Sequence, residues 1–346
     1  MSLNIENFAQ SYSRISVIGA GAWGTALAAM AAARGRNVRL WAREAEVVAS
    51  IAGHNMNDLY LRGAVLPKSI QATSDLAAAC DVDAILCAVP AQHLRTSLGQ
   101  IETHLRAKTP IVLCAKGIET SSGSLVTEIL SETIDDAEVA ILSGPSFAKD
   151  AVRGLPTLVA IGARKEIAVR LQATLGENPN FRPYVTADVT GVALGGAAKN
   201  VYAIACGMVE GAKFGESARA GLLARSFAEL LQLGAAMGAQ SETLMGLSGL
   251  GDLVLTATSM SSRNFSLGAA LGAGKKLEDL LAPGRPLAEG AATAPALVAR
   301  GRRHGVELPI AEAVADVLAG KLDLHGAAES SPTSPTRSLS RPSRAR

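Results

Sequence analysis

Short aliphatic runs recur through the first half of the chain, at residues 15–18, 38–41, 84–89, 111–115, 139–142 and 158–161, each followed by turn residues or a helix-like stretch. These runs are mostly apolar at successive positions instead of alternating, the pattern of strands covered on both faces in a parallel sheet. From about Asp188 the spacing changes: Leu222, Leu223, Phe227, Leu230 and Leu231 recur at helical intervals. Beyond Leu324 the run Ser-Pro-Thr-Ser-Pro-Thr-Arg is aperiodic and too polar to offset its ordering entropy. The predicted organisation is an extension at 1–14, a Rossmann-type doubly wound α/β domain at 15–187, an all-α domain at 188–324 and a disordered basic tail at 325–346.

A length of 346 residues suits two domains. Aromatic residues supply only 3%, so the interior is expected to be built from small and aliphatic side chains. Lys and Arg number 33 against 31 Asp and Glu, a net charge of +2. Four arginines and one acid lie from Glu329 onward, which leaves the body at −1 and excludes a surface built for nucleic acid. No apolar leader opens the chain, and no unbroken apolar stretch has the length of a membrane span. Cys80, Cys87, Cys114 and Cys206 form no CxxC pair. The expectation is a reduced, cytoplasmic protein without an integral membrane segment or a metal site.

Gly19-Ala20-Gly21-Ala22-Trp23-Gly24 fits G-x-G-x-x-G directly after the first predicted strand and before an alanine-rich helix expected from Thr25. In that setting the glycines let backbone amides approach a dinucleotide pyrophosphate, and the helix N-terminus supplies partial positive charge. An ordinary glycine turn is the alternative. After the second strand, where an acid usually meets the ribose of NAD, the chain reads Trp41-Ala42-Arg43-Glu44. Arg43 suits the 2′-phosphate of NADP and Glu44 still suits NAD, so either cofactor is expected, with a modest tilt to NADPH. A solvated loop arginine is the competing reading.

Three segments of the second half offer groups for hydride-transfer chemistry. In 191–200 two glycines, Gly195 and Gly196, lie about one helical turn before Lys199 and are expected to clear access to it. A lysine on such a small-residue surface loses solvation, which lowers its pKa towards that of a useful base. In 245–254 a glycine-rich loop places Asp252 among apolar residues, so that acid needs a positive partner such as Lys199 or an arginine. Ser261-Ser262-Arg263-Asn264 combines hydroxyls, a guanidinium and an amide suited to a phosphate. The plainer readings are a surface lysine, a helix N-cap aspartate and a capped helix start with an exposed arginine.

Together these residues resemble the NAD(P)-dependent glycerol-3-phosphate dehydrogenases of the bacterial type. The resemblance runs collinearly through Gly-Ala-Gly-Ala-Trp-Gly-Thr at 19–25, Ala-Val-Pro at 88–90, Ala-Lys-Gly at 115–117, Leu-Ser-Gly-Pro-Ser-Phe-Ala at 142–148, Leu-Gly-Gly-Ala-Ala-Lys-Asn at 194–200, Gly-Leu-Gly-Asp-Leu at 249–253 and Ser-Arg-Asn at 262–264. It implies reversible reduction of dihydroxyacetone phosphate to sn-glycerol 3-phosphate, which feeds glycerophospholipid synthesis. Lys199 would be the acid and base of that reaction. Lys116, Gly144, Ser146, Asp252, Ser262, Arg263 and Asn264 would complete the substrate site. Gly19, Gly21, Ala22, Trp23, Gly24, Arg43, Ala148, Leu287 and Glu289 would contact the cofactor, with Lys116 and Arg263 reaching both ligands.

The chain departs from the family pattern at Arg62, Ala193 and Glu216-Ser217, none of which carries a proposed catalytic role. The alternatives are another reductase of the β-hydroxyacid or ketopantoate type, and a non-catalytic dinucleotide sensor. The expected partner is the small-molecule substrate alone, with a homodimer as an open option.

Overall fold

The computed structural model describes residues 11–176, 180–280, 282 and 288–323. Among the described residues ten strands form: β1 (Arg14–Ile18), β2 (Asn37–Trp41), β3 (Met56–Asn57), β4 (Leu61–Val65), β5 (Gln71–Thr73), β6 (Ala84–Cys87), β7 (Ile111–Leu113), β8 (Val139–Ser143), β9 (Thr157–Ala163) and β10 (Phe181–Thr186). The helices of the first half are α1 (Ala22–Ala32), α2 (Ala45–His54), α3 (Leu76–Cys80), α4 (Ala91–Glu102), α5 (Val126–Thr133), α6 (Ala148–Val152) and α7 (Lys165–Leu175). Those of the second half are α8 (Val189–Gly211), α9 (Glu216–Ala236), α10 (Ser241–Met245), α11 (Asp252–Ala257), α12 (Arg263–Gly272), α13 (Leu277–Leu280), α14 (Glu289–Arg303) and α15 (Pro309–Leu318), with a π-helical turn at Leu247–Gly251.

Eight strands make one sheet in the order β10-β9-β8-β7-β6-β1-β2-β5, while β3 and β4 form a separate antiparallel hairpin. The central strands are buried on both faces, as their unbroken apolar runs require. This is a Rossmann-type sheet followed by a helical half.

The sheet departs from the wholly parallel expectation at one seam, because β8 pairs with β9 antiparallel. After β8 the chain stays at the carboxyl end of the sheet, where it forms α6 against α1, and then re-enters from that same end. A crossover to a parallel neighbour would have had to return to the opposite end first. Strands β5 and β10 close the two edges, and neither was expected.

Helix α8 is the axis of the second half. It is long and apolar enough to cross a membrane by length and composition, yet 94% of its most apolar window is buried inside the protein. Asp188 caps it by accepting from Gly191 N at 2.8 Å. The glycine pair does not serve the open access expected for it. A Cβ on Gly195 would meet the Ser248 carbonyl at 2.6 Å, and one on Gly196 would meet Ser143 Oγ at 2.6 Å. Both glycines therefore let α8 pack directly on the π-helical turn and on the end of β8.

Candidate active site

The glycine loop leaves the carboxyl end of β1, where open α/β sheets bind their ligands. Gly19 has a φ of +106°, and a Cβ there would lie 3.0 Å from the Ala88 carbonyl carbon. Gly24 is tighter still, since its Cβ would fall 1.9 Å from the Gly19 oxygen. Around Gly21 there is open space on the side a Cβ would occupy. Two glycines thus close the turn and the third leaves its backbone accessible, which fits a dinucleotide pyrophosphate at the N-terminus of α1. That helix begins at Ala22, three residues earlier than expected.

Asn57, which the sequence reading passed over, holds this loop. Its Nδ2 donates to the Ala20 carbonyl and to Thr25 Oγ1, both at 2.8 Å, and the residue is buried. The hairpin β3–β4 therefore clips the loop from above. Trp23 is half-buried beside it. Arg43 is exposed and pairs with its neighbour Glu44 at 2.9 Å. Leu287 lies outside the described residues.

Three segments meet over the carboxyl ends of β7 and β8. Lys116 follows β7, Gly144 follows β8, and Lys199 projects from α8. Lys116 Nζ donates to the Gly144 carbonyl at 2.9 Å and to Asp252 Oδ2 at 2.7 Å. Lys199 Nζ donates to Asp252 Oδ1 and to Thr256 Oγ1, both at 2.8 Å. One buried carboxylate thus carries an ammonium on each oxygen. Asp252 opens α11, and Thr256 follows one helical turn later, so both face Lys199 from one side.

The electrostatics follow from that geometry. Burial lowers the Lys199 pKa from its ordinary value to about 8; the Asp252 carboxylate opposes this, and the neighbouring Lys116 ammonium adds to it. For Asp252, burial acts upwards, but Lys116 and Lys199 outweigh it and hold the carboxyl below its ordinary value. Burial likewise pushes Glu289 up, against the pull of Arg263, Lys199 and Lys116. The expected positive partner of Asp252 is present twice over.

A second chain of bonds ties the segments together. Asn200 Nδ2 donates to the Lys116 carbonyl at 2.9 Å, Asn264 Nδ2 donates to Asn200 Oδ1 at 2.8 Å, and Gly290 N donates to Asn264 Oδ1 at 2.9 Å. Ser262 caps α12 by accepting from Phe265 N at 3.2 Å, and Ser146 Oγ donates to the Gly144 carbonyl at 2.9 Å. Arg263 is exposed at the start of α12, while Ala148 is half-buried at the start of α6. Glu289 opens α14 beside Gly290.

Residues 14–169 match the family model for the NAD-dependent glycerol-3-phosphate dehydrogenase N-terminus, and residues 188–329 match that for its C-terminus. The chain belongs to the NAD-dependent glycerol-3-phosphate dehydrogenase family. It is accordingly an oxidoreductase that uses NAD or NADP. The chain is 52% identical over 329 residues to glycerol-3-phosphate dehydrogenase [NAD(P)+] of Parvibaculum lavamentivorans, covering 95% of this chain and 98% of that one. A crystal structure of glycerol-3-phosphate dehydrogenase from Coxiella burnetii superposes with a TM-score of 0.87 at 34% identity, covering 92% of this chain and 98% of the other.

A ketopantoate reductase from Ralstonia eutropha, 16% identical, superposes with a TM-score of 0.58 over 89% of this chain and 98% of that one, a likeness of fold alone. The departures from the family pattern fall on an exposed residue of β4 (Arg62), a buried position of α8 (Ala193) and the exposed first turn of α9 (Glu216 and Ser217). Thr256 and the bonding role of Asn200 were not assigned in advance. The spacing Asp252-x-x-x-Thr256 was the available signal for the first. For the second there was none, because its partner is a main-chain carbonyl remote in sequence.

Proposed function

We propose that this chain reversibly reduces dihydroxyacetone phosphate to sn-glycerol 3-phosphate, with Lys199 as general acid and base. The observation that carries this reading is the buried Lys199–Asp252–Lys116 arrangement at the carboxyl ends of the central strands. A lysine with a pKa of about 8 holds its proton loosely enough to give it to a carbonyl oxygen and, when neutral, to take it from a hydroxyl. The bound nicotinamide cofactor supplies or accepts the hydride.

The chain's own groups do the rest. Asp252 keeps the Lys199 ammonium aimed into the cleft and stops it from being neutralised outright by burial. Lys116, fixed by Gly144 and Asp252, contacts substrate and cofactor together, with Gly144 and Ser146 beside the substrate and Ala148 beside the cofactor. Ser262, Arg263 and Asn264 hold the phosphate, the guanidinium providing the charge-assisted bonds. Of these, Asn264 already has its amide oxygen and one amide hydrogen engaged, so only its remaining hydrogen is offered to the ligand. Gly19, Gly21, Ala22, Trp23, Gly24, Leu287 and Glu289 surround the cofactor, and Arg43 favours NADPH by turning from Glu44 to a 2′-phosphate.

In this reading residues 15–187 bind the dinucleotide, residues 188–324 bring the substrate groups, and the product supplies glycerophospholipid synthesis. The four cysteines are all buried free thiols, which supports a reduced, cytoplasmic setting.

The test is an assay of the purified protein with dihydroxyacetone phosphate, and separately with ketopantoate, each with NADPH and NADH. Cofactor oxidation is expected with dihydroxyacetone phosphate and not with ketopantoate, faster with NADPH. Oxidation with neither cofactor would overturn the assignment.

A further inference from the structure

Besides the Lys116–Asp252 pair, a second side-chain bond joins the two sides of the site, Lys149 Nζ donating to Ser261 Oγ at 2.6 Å. Lys149 stands on α6, one residue past Ala148 and three past Ser146. Ser261 immediately precedes Ser262 and Arg263, the start of α12. Both residues are exposed, and the ammonium lies 5.9 Å from the centre of the Phe147 ring.

Lys116 and Lys199 share the Asp252 carboxylate, whereas neither Lys149 nor Arg263 has an acidic partner within 4 Å among the described residues. Each side of this bond therefore presents one exposed cation with no carboxylate in ion-pair contact among the described residues, Arg263 acting on Glu289 from beyond that distance. A phosphate monoester carries about −1.5 to −2 at neutral pH, more than the Arg263 guanidinium alone balances.

We propose that Lys149 is a specificity-determining residue whose ammonium leaves the Ser261 hydroxyl and pairs with the phosphate of the incoming substrate. This rests on the substrate class proposed above. A neutral hydroxyl is a weak partner for an ammonium, so exchanging it for a dianion strengthens the contact in the ligand-bound state only. The bond to Ser261 keeps the charge at the mouth beforehand, where it focuses an anion into a protein whose body is slightly acidic.

The test compares Lys149→Gln, which keeps a hydrogen-bonding group but no charge, with Lys149→Arg, which keeps the charge. Lys149→Gln is expected to lower kcat/KM for dihydroxyacetone phosphate about tenfold or more, mainly through KM, and to flatten its dependence on salt, with the KM for NADPH unchanged. Lys149→Arg should retain most of the wild-type value. Equal kcat/KM in wild type and Lys149→Gln, or an equal loss in both variants, overturns the proposal. Calorimetric titration of inorganic phosphate into wild type and Lys149→Gln separates this from failure of the reaction assignment. Even if dihydroxyacetone phosphate is not turned over, weaker phosphate binding by Lys149→Gln supports the rim cation, and unchanged binding refutes it.

Discussion

Asn200 donates its side-chain amide to the main-chain carbonyl of Lys116, 2.9 Å away, so the residue after Lys199 on α8 fixes the backbone of the other lysine that holds Asp252. Successive helical residues point about 100° apart, which lets Lys199 reach Asp252 while Asn200 reaches across to the loop after β7. Replacing Asn200 by Ala leaves the Lys116 carbonyl and the Asn264 amide without their partner, a cost of about 1–3 kcal/mol. The expected outcome is a fall in kcat of about tenfold or more with little change in NADPH affinity, read from steady-state kinetics and a fluorescence titration. Unchanged kcat would mean that Gly144 and Asp252 position Lys116 by themselves.

Asp252→Asn removes the anion that both ammonium groups share. Two buried cations then lack compensation, and the stability loss is expected to be about 3–5 kcal/mol, measured by denaturant unfolding. The kinetic effect has a definite sign. Because the Asp252 charge raises the Lys199 pKa, its loss moves that pKa further below about 8. The pH limb controlled by Lys199 should shift to lower pH in whatever activity remains, and a shift to higher pH would contradict the assignment of that limb.

The glycine loop makes a contrast between two variants. In Gly24→Ala the new methyl would sit 1.9 Å from the Gly19 carbonyl oxygen, so the turn must open. Overpacking of this kind costs about 1–3 kcal/mol, and cofactor affinity should fall about tenfold or more. In Gly21→Ala the methyl meets no protein atom. That variant should keep wild-type thermal stability and lose affinity only because the methyl stands where the pyrophosphate approaches. Equal cofactor affinity in Gly21→Ala and wild type would place the pyrophosphate elsewhere.

The legible part of the fold is the part that burial dictates. Strands β1, β6, β7 and β8 are buried at nearly every position because helices cover both faces, and each is visible as a mostly apolar run, whereas β2 alternates, with Val38 and Leu40 buried and Arg39 between them. Strand β10 was missed because Phe-Arg-Pro-Tyr-Val-Thr mixes exposed and buried positions around a proline, as an edge strand tolerates. Strand β5 has only three residues and little apolar signal. The reversal at β9 has no local signature, since direction depends on where the preceding loop runs. At the site, Lys199 and Asp252 could be paired by the cost of leaving a buried acid alone. The arrival of Lys116 on the same carboxylate depends on a contact between residues 136 positions apart, which local pattern does not encode.

The pH dependence of kcat in both directions shows whether Lys199 gives the proton to the carbonyl and takes it back from the alcohol. Reduction needs the ammonium, so its rate should fall as the pH rises through about 8, whereas oxidation needs the free amine and should rise through the same point. Mirror-image profiles crossing there are the predicted result. A common limb in both directions, or an oxidation rate that stays flat across that pH, would remove Lys199 from the proton-transfer role.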